Sequence, residues 1–137
     1  MLKISNKQLD AIVDLEWSLL RQRVEKQWPG ISSELYPELR PLHPNDVRYW
    51  ITQATLACRQ WGIDDEQAAI ALALDVLSAA TLRLPKSFIQ DMARYLLESA
   101  DDDADHTAAQ QWIRWTLFEQ HELMRHKNEE PCHGNPN

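Results

Sequence analysis

The chain has 137 residues, 44% of them hydrophobic, with three glycines, two cysteines, six tryptophans and a formal net charge of -7. That is enough chain to bury one real core, but too little glycine for many tight turns or phosphate-cradling loops and too few cysteines for a disulfide framework. The charge is concentrated in the middle, with +1 over residues 1–60, -7 over 61–105 and -1 over 106–137, which disfavours nucleic acid and anionic membrane as partners there and suits a basic protein; an acidic surface that only aids solubility fits the same numbers.

The opening MLKISNKQLD lacks the apolar core of a signal peptide, and no stretch reads as a membrane span, so a cytoplasmic location is expected. Ser5 and Gln8 form a capping box at the start of helix 1. Leu9, Val13, Trp17, Leu20, Val24 and Trp28 then recur at three- and four-residue steps and define one inward face. Pro29 and Gly30 predict its end. Residues 29–44 hold four prolines, which argue against long helix. Their apolar Ile31, Leu35, Tyr36, Leu39 and Leu42 predict an ordered strap, with a helical turn near residues 33–39.

Helix 2 is expected from an Asn45 cap to Trp61, with Val47, Trp50, Ile51, Ala54, Cys58 and Trp61 inward. Gly62 suits a left-handed cap followed by apolar Ile63. Asp64 and Gln67 make a second capping box for helix 3. Residues 68–82 of that helix, AAIALALDVLSAATL, are interrupted only by Asp75, Ser78 and Thr81. Ala and Leu favour helix, and a helix apolar on all faces is buried on most of its circumference. Helix 4, about 86–98, should turn Phe88, Ile89, Met92, Tyr95 and Leu96 inward. Helix 5, about 105–125, should bury Ala109, Trp112, Ile113, Thr116, Leu117, Leu123 and Met124. The acids before it suit a helix N-terminus. The fold class predicted is all-α: a single-domain bundle of about five helices, over 1–127, around a buried central helix at about 65–83. The polar, breaker-rich residues 128–137 read as a disordered tail.

Chemical motifs are weak. Helices 2 and 3 around Gly62 outline a helix-turn-helix, but residues 64–82 contain no Lys or Arg to read phosphates and base edges. Asp101, Asp103 and Asp105 imitate the first ligands of a calcium loop, yet its sixth and twelfth positions hold His106 and Trp112 instead of Gly and Glu. His121, His126, Cys132 and His133 lack the spacing of a zinc site. Asp75, within an apolar helix, reads as an acid paired with an Arg of a neighbouring helix or facing a local solvent gap, rather than as a catalytic acid. No catalytic residue, cofactor or metal is expected.

What remains is apolar residues on outward faces. Tyr49 and Leu56 point away from the inner stripe of helix 2, and Trp115 and Phe118 away from that of helix 5. Exposed aromatics mark partner surfaces; a layout that buries both faces of helix 5 explains Trp115 and Phe118 equally well, and for Tyr49 a place in the core is the favoured reading. With the acidic run they give the candidate partner-binding set Tyr49, Leu56, Asp101, Asp102, Asp103, Asp105, Trp115 and Phe118.

Ile4-Ser5, Gln8-Leu9, Trp28-Pro29, the segment Val47, Trp50, Ile51 and Ala54, and Trp61-Gly62-Ile63 with Glu66 together resemble a group of small helical bacterial proteins. These are often encoded beside type VI secretion spike, adaptor and toxin genes. The resemblance covers about residues 4–97. Members commonly carry Phe-Pro where this chain has Trp28-Pro29, and Tyr-Gly-Ile where it has Trp61-Gly62-Ile63. The group has no catalytic signature, and the resemblance implies an accessory role in toxin loading, chaperoning or immunity. The function expected is therefore a non-enzymatic, protein-binding accessory of such a cassette, an effector chaperone or adaptor. Its partner would be a toxin, an effector or a spike component, not nucleic acid or membrane. An immunity protein that neutralises a cognate toxin is the nearest alternative. A structural homodimer through Trp115 and Phe118, or a metal-dependent enzyme using Asp75 or the tail histidines, are alternatives of other classes.

Overall fold

Five α-helices follow one another along the chain: α1 (Asn6–Leu35), α2 (Pro44–Gln60), α3 (Glu66–Thr81), α4 (Lys86–Glu98) and α5 (Asp103–Glu129). The computed structural model describes residues 6–63 and 65–129, with side chains for 15–63 and 65–126. The fold class is all-α, as the periodicities predict. Among the described residues no helix is long and apolar enough to cross a membrane. The helices group into two units divided within α3, between Leu77 and Ser78.

In the first unit α1 packs against α2. Trp17, Leu20, Val24 and Trp28 are buried on α1, and Val47, Ile51, Ala54 and Cys58 on α2, which are most of the two stripes that helical spacing assigns inward; Trp50 is only half-buried. Leu9, Val13 and the Ser5 cap lie outside the described side chains. The salt bridges Arg48–Glu25, at 3.0 Å, and Arg23–Glu66 tie α1 to α2 and to the start of α3.

Pro29 does not end α1. The helix runs through Pro29 and Gly30 to Leu35, and the strap shortens to residues 36–43. Proline inside a helix removes one hydrogen bond and crowds the preceding turn, at a cost of about 3 kcal/mol. The extra turns bury Ser32 and Tyr36, at 5% and 9% exposure, and the Tyr36 amide bonds the Ser32 carbonyl at 2.8 Å. Burial beyond the proline works against the local penalty. The strap is anchored by Tyr36 and Leu42, while Leu35 is exposed.

The caps shift by one or two residues from the expected ones. His43, not Asn45, caps α2: its Nδ1 accepts the Asn45 amide at 3.0 Å, and Pro44 occupies the first turn, where a missing amide hydrogen costs nothing. Asp64 lies outside the described residues; Asp65 fills the role, its carboxylate accepting the Gln67 amide at 3.0 Å. Gly62 has φ +71°. The Ile63 amide bonds the Cys58 carbonyl and the Gly62 amide that of Arg59, a Schellman closure. The same closure ends α3, with Leu84 bonded to Ala79 and Arg83 to Ala80, but there the left-handed position is Arg83, at φ 60°.

Helix α3 is buried along almost its whole length. Ala69, Leu72, Ala73, Val76 and Leu77 are buried in the first unit, and Ser78, Ala79, Ala80, Thr81 and Leu82 in the second. Asp75 is 9% exposed and engaged in a polar or electrostatic interaction.

In the second unit α4 packs against α5. Ile89, Met92, Leu96 and Leu97 are buried on α4, and Ala109, Ile113 and Leu117 on α5. Asp102 caps α5, its carboxylate accepting the Asp105 amide at 3.0 Å. The His106 ring lies 3.2 Å from the Leu96 carbonyl and 3.3 Å from Ser99 Oγ, which fastens the first turn of α5 to the last turn of α4.

Candidate functional site: the aromatic face of the second unit

The buried stripe of α5 is narrower than its composition suggests. It follows an i, i+4, i+8 line through Ala109, Ile113 and Leu117, which turns the opposite side of the helix to solvent. On that side Trp112, Trp115 and Phe118 are 51%, 59% and 55% exposed. Their three-residue spacing makes one ridge along the helix surface. Trp115 and Phe118 stack, with ring centroids 5.9 Å apart and planes inclined by 26°. Trp112 receives Tyr95 of α4 edge-on at 5.6 Å.

Three inward assignments are overturned here. Tyr95, expected inside α4, is exposed, and Trp112 and Leu123, expected inside α5, are exposed as well. The reason is angular. Ile89, Met92 and Leu96 already fill the contact stripe of α4, and Tyr95 falls at its margin, where the ring lies over α5 instead. Trp61, expected on the inner face of helix 2, is exposed for a different reason: it lies in the C-cap, past the last residue of α2. The signal for the larger aromatic cluster was present in the spacing of Trp112, Trp115 and Phe118. It was masked because Trp112 also lies within reach of the Ala109–Ile113 side.

Aromatic side chains bury roughly 150–250 Å² each when covered. Four half-exposed rings therefore present on the order of 400 Å² of apolar surface, within the range that marks functional patches on monomers. Glu119 and Glu122 lie along the same side of α5; Glu122 is bonded to Arg125 at 3.1 Å. Asp101, Asp102, Asp103 and Asp105 are all exposed at the helix start. At 1.5 Å per residue, Asp105 is about 15 Å along the axis from Trp115. These acids serve first as capping and dipole-matching groups, and they also give that end of the helix its negative charge.

Tyr49 and Leu56 are exposed on α2, at 39% and 42%, and Tyr49 meets Trp50 edge-on at 5.1 Å. They belong to the first unit, whereas Trp115, Phe118 and the acidic run belong to the second.

The groups that could support chemistry are placed as follows. Cys58 is a free, buried thiol, and burial pushes its pKa up to about 11, so it is a poor nucleophile near neutral pH. Among the described residues no group of three or more His, Cys, Asp or Glu side chains is arranged to hold a metal ion. Cys132 and His133 lie outside the described residues. No protein-family model matches the chain, and no curated protein or solved structure is significantly similar to it.

Proposed function

We propose that this chain is a non-enzymatic, protein-binding accessory of a bacterial type VI secretion or toxin cassette, acting as an effector chaperone or adaptor through the aromatic face of α5. The observation that carries the protein-binding reading is the run Trp112, Trp115 and Phe118, more than half exposed on one side of a helix with Tyr95 beside it. Large, stiff aromatic rings supply contact area at low entropic cost and dominate binding hot spots. The negative groups flanking them favour a partner with an amphipathic, basic helix, for orientation and association rate. The assignment to a secretion cassette rests on the resemblance of residues 4–97 alone.

The test is affinity capture from the native host with the wild-type chain and with Trp115→Ala/Phe118→Ala, followed by mass spectrometry. Recovery of a toxin, effector or spike component by the wild type, with at least a tenfold loss in the variant, supports the proposal. Recovery of the chain alone, with a doubled mass in light scattering that the variant halves, replaces it with the homodimer. Protection of cells against a toxin already folded and active, without an effect on toxin abundance or delivery, replaces the chaperone role with immunity.

A further inference from the structure

We propose that the groove between α1 and α2 is a binding site for a carboxylate, independent of the aromatic face. A cavity of about 300 Å³ lies there, within the first unit, lined by Ser18, Arg21, Gln22 and Glu25 of α1 and by Arg48, Ile51 and Thr52 of α2. The two sets are spaced i, i+3, i+4, i+7 and i, i+3, i+4, so each is a single stripe on its helix and the two stripes face each other. Ile51, 1% exposed, provides an apolar floor.

The polar groups around that floor are unequally occupied. Arg48 directs Nη2 and Nε to the same oxygen, Oε1 of Glu25, at 3.0 and 3.3 Å. Glu25 is thereby an orienting group: it holds the Arg48 guanidinium at the groove while Nη1 of that fork remains available. Arg21, half-buried, makes no ion pair or hydrogen bond among the described residues. Nor do the Ser18 hydroxyl and the Gln22 amide. The lining carries two cations and one anion in a chain of net charge -7, so a local positive site persists where the molecule as a whole repels anions.

A guanidinium presents two parallel N–H donors that match a carboxylate. A net charge of +1 suits one carboxylate better than a phosphate dianion. The hydroxyls of Ser18 and Thr52 and the Gln22 amide can bond the remaining atoms of a ligand. At about 30 Å³ per water, the cavity holds roughly ten non-hydrogen atoms. That accommodates a small free carboxylic acid, or the C-terminal residue of a polypeptide with its free carboxylate.

The experiment follows the Arg Nε–H resonances of the full chain by NMR at constant ionic strength. The probes are glutarate, a hexapeptide with a free C-terminus, its C-terminal amide, and chloride. Saturable shifts at Arg21 and Arg48 with a carboxylate, weakened at least tenfold by Arg21→Gln and less by Arg21→Lys, support the site. A stronger response to the free-acid peptide than to glutarate, absent with the amide, assigns a polypeptide terminus as the source; the reverse order assigns a free small acid. Shifts no larger than those with chloride, or retained in Arg21→Gln, overturn the proposal. Arg21→Gln is checked for unchanged helical circular dichroism and thermal midpoint, so that loss of binding is not loss of fold. The result leaves the aromatic-face reading untouched in either direction.

Discussion

Helices α3 and α5 are both rich in apolar residues, yet they are used in opposite ways. On α3, Ala69, Leu72, Ala73, Val76 and Leu77 through Thr81 are nearly all buried. On α5, three positions one helical turn apart carry the burial, and the largest side chains stand in solvent. Composition therefore does not decide which helix is core. Small residues on every side allow close approach all round, whereas a helix whose bulk is concentrated in outward aromatics keeps a surface. Stability should reside in the first arrangement and recognition in the second.

The sharpest way to break this comparison is to remove the same kind of apolar bulk from each helix. Leu77 is 0% exposed, and Leu77→Ala should cost about 2–5 kcal/mol, from lost transfer energy and the void left behind. Urea unfolding followed by circular dichroism measures it. A loss below about 1 kcal/mol would mean that α3 is not held as tightly as its burial implies.

The next effect tests whether the two helices are equally well started. Asp65 caps α3 and Asp102 caps α5, each carboxylate accepting an amide at 3.0 Å. Asp65→Ala and Asp102→Ala should each cost about 1 kcal/mol. Equal losses would place the difference between the helices in their faces alone. A much smaller loss for Asp102→Ala would indicate that the start of α5 is held mainly through His106.

Much of this was legible in advance, and the errors have physical causes. The stripes Trp17–Leu20–Val24–Trp28 and Val47–Ile51–Ala54–Cys58 follow from helical periodicity, and Gly62 from the backbone conformation that a helix closure demands. Pro29 misled because a local penalty does not forbid a helix whose continuation is packed inward, here at Ser32 and Tyr36. Tyr95 and Trp112 misled because periodicity gives an angle around a helix but not the width of the contact stripe. The α1–α2 groove was not readable at all. Ser18, Arg21, Gln22 and Glu25 look like an ordinary solvated flank until Arg48 and Thr52 are set opposite them, and that pairing is a property of the fold.

A smaller effect concerns how α3 ends. Arg83 occupies a left-handed conformation that costs a residue with a Cβ about 1 kcal/mol and that glycine adopts freely. Arg83 also takes part in a polar or electrostatic interaction, and whatever part of it the guanidinium carries is lost in Arg83→Gly. The net expectation is stabilisation by about 0.5 kcal/mol, against a loss of about 1 kcal/mol for Gly62→Ala at the matching position of α2. Thermal denaturation of the two variants checks the signs. Destabilisation by Arg83→Gly would show that the arginine's interaction outweighs its backbone strain.

The smallest expected change in stability is also the most informative about recognition. Trp115 and Phe118 are each more than half exposed and touch one another. Trp115→Ala/Phe118→Ala loses that stacking, worth about 0.5–1.5 kcal/mol at most and less in water, but gains helix propensity at both positions, about 0.5 kcal/mol each. The two terms nearly cancel, and stability should stay within about 0.5 kcal/mol of wild type. If the pair instead costs as much as Leu77→Ala, the rings belong to a core that α5 completes, and their exposure marks no partner surface. If stability is unchanged and partner capture is lost, the same residues that contribute nothing to the fold are the ones retained for binding.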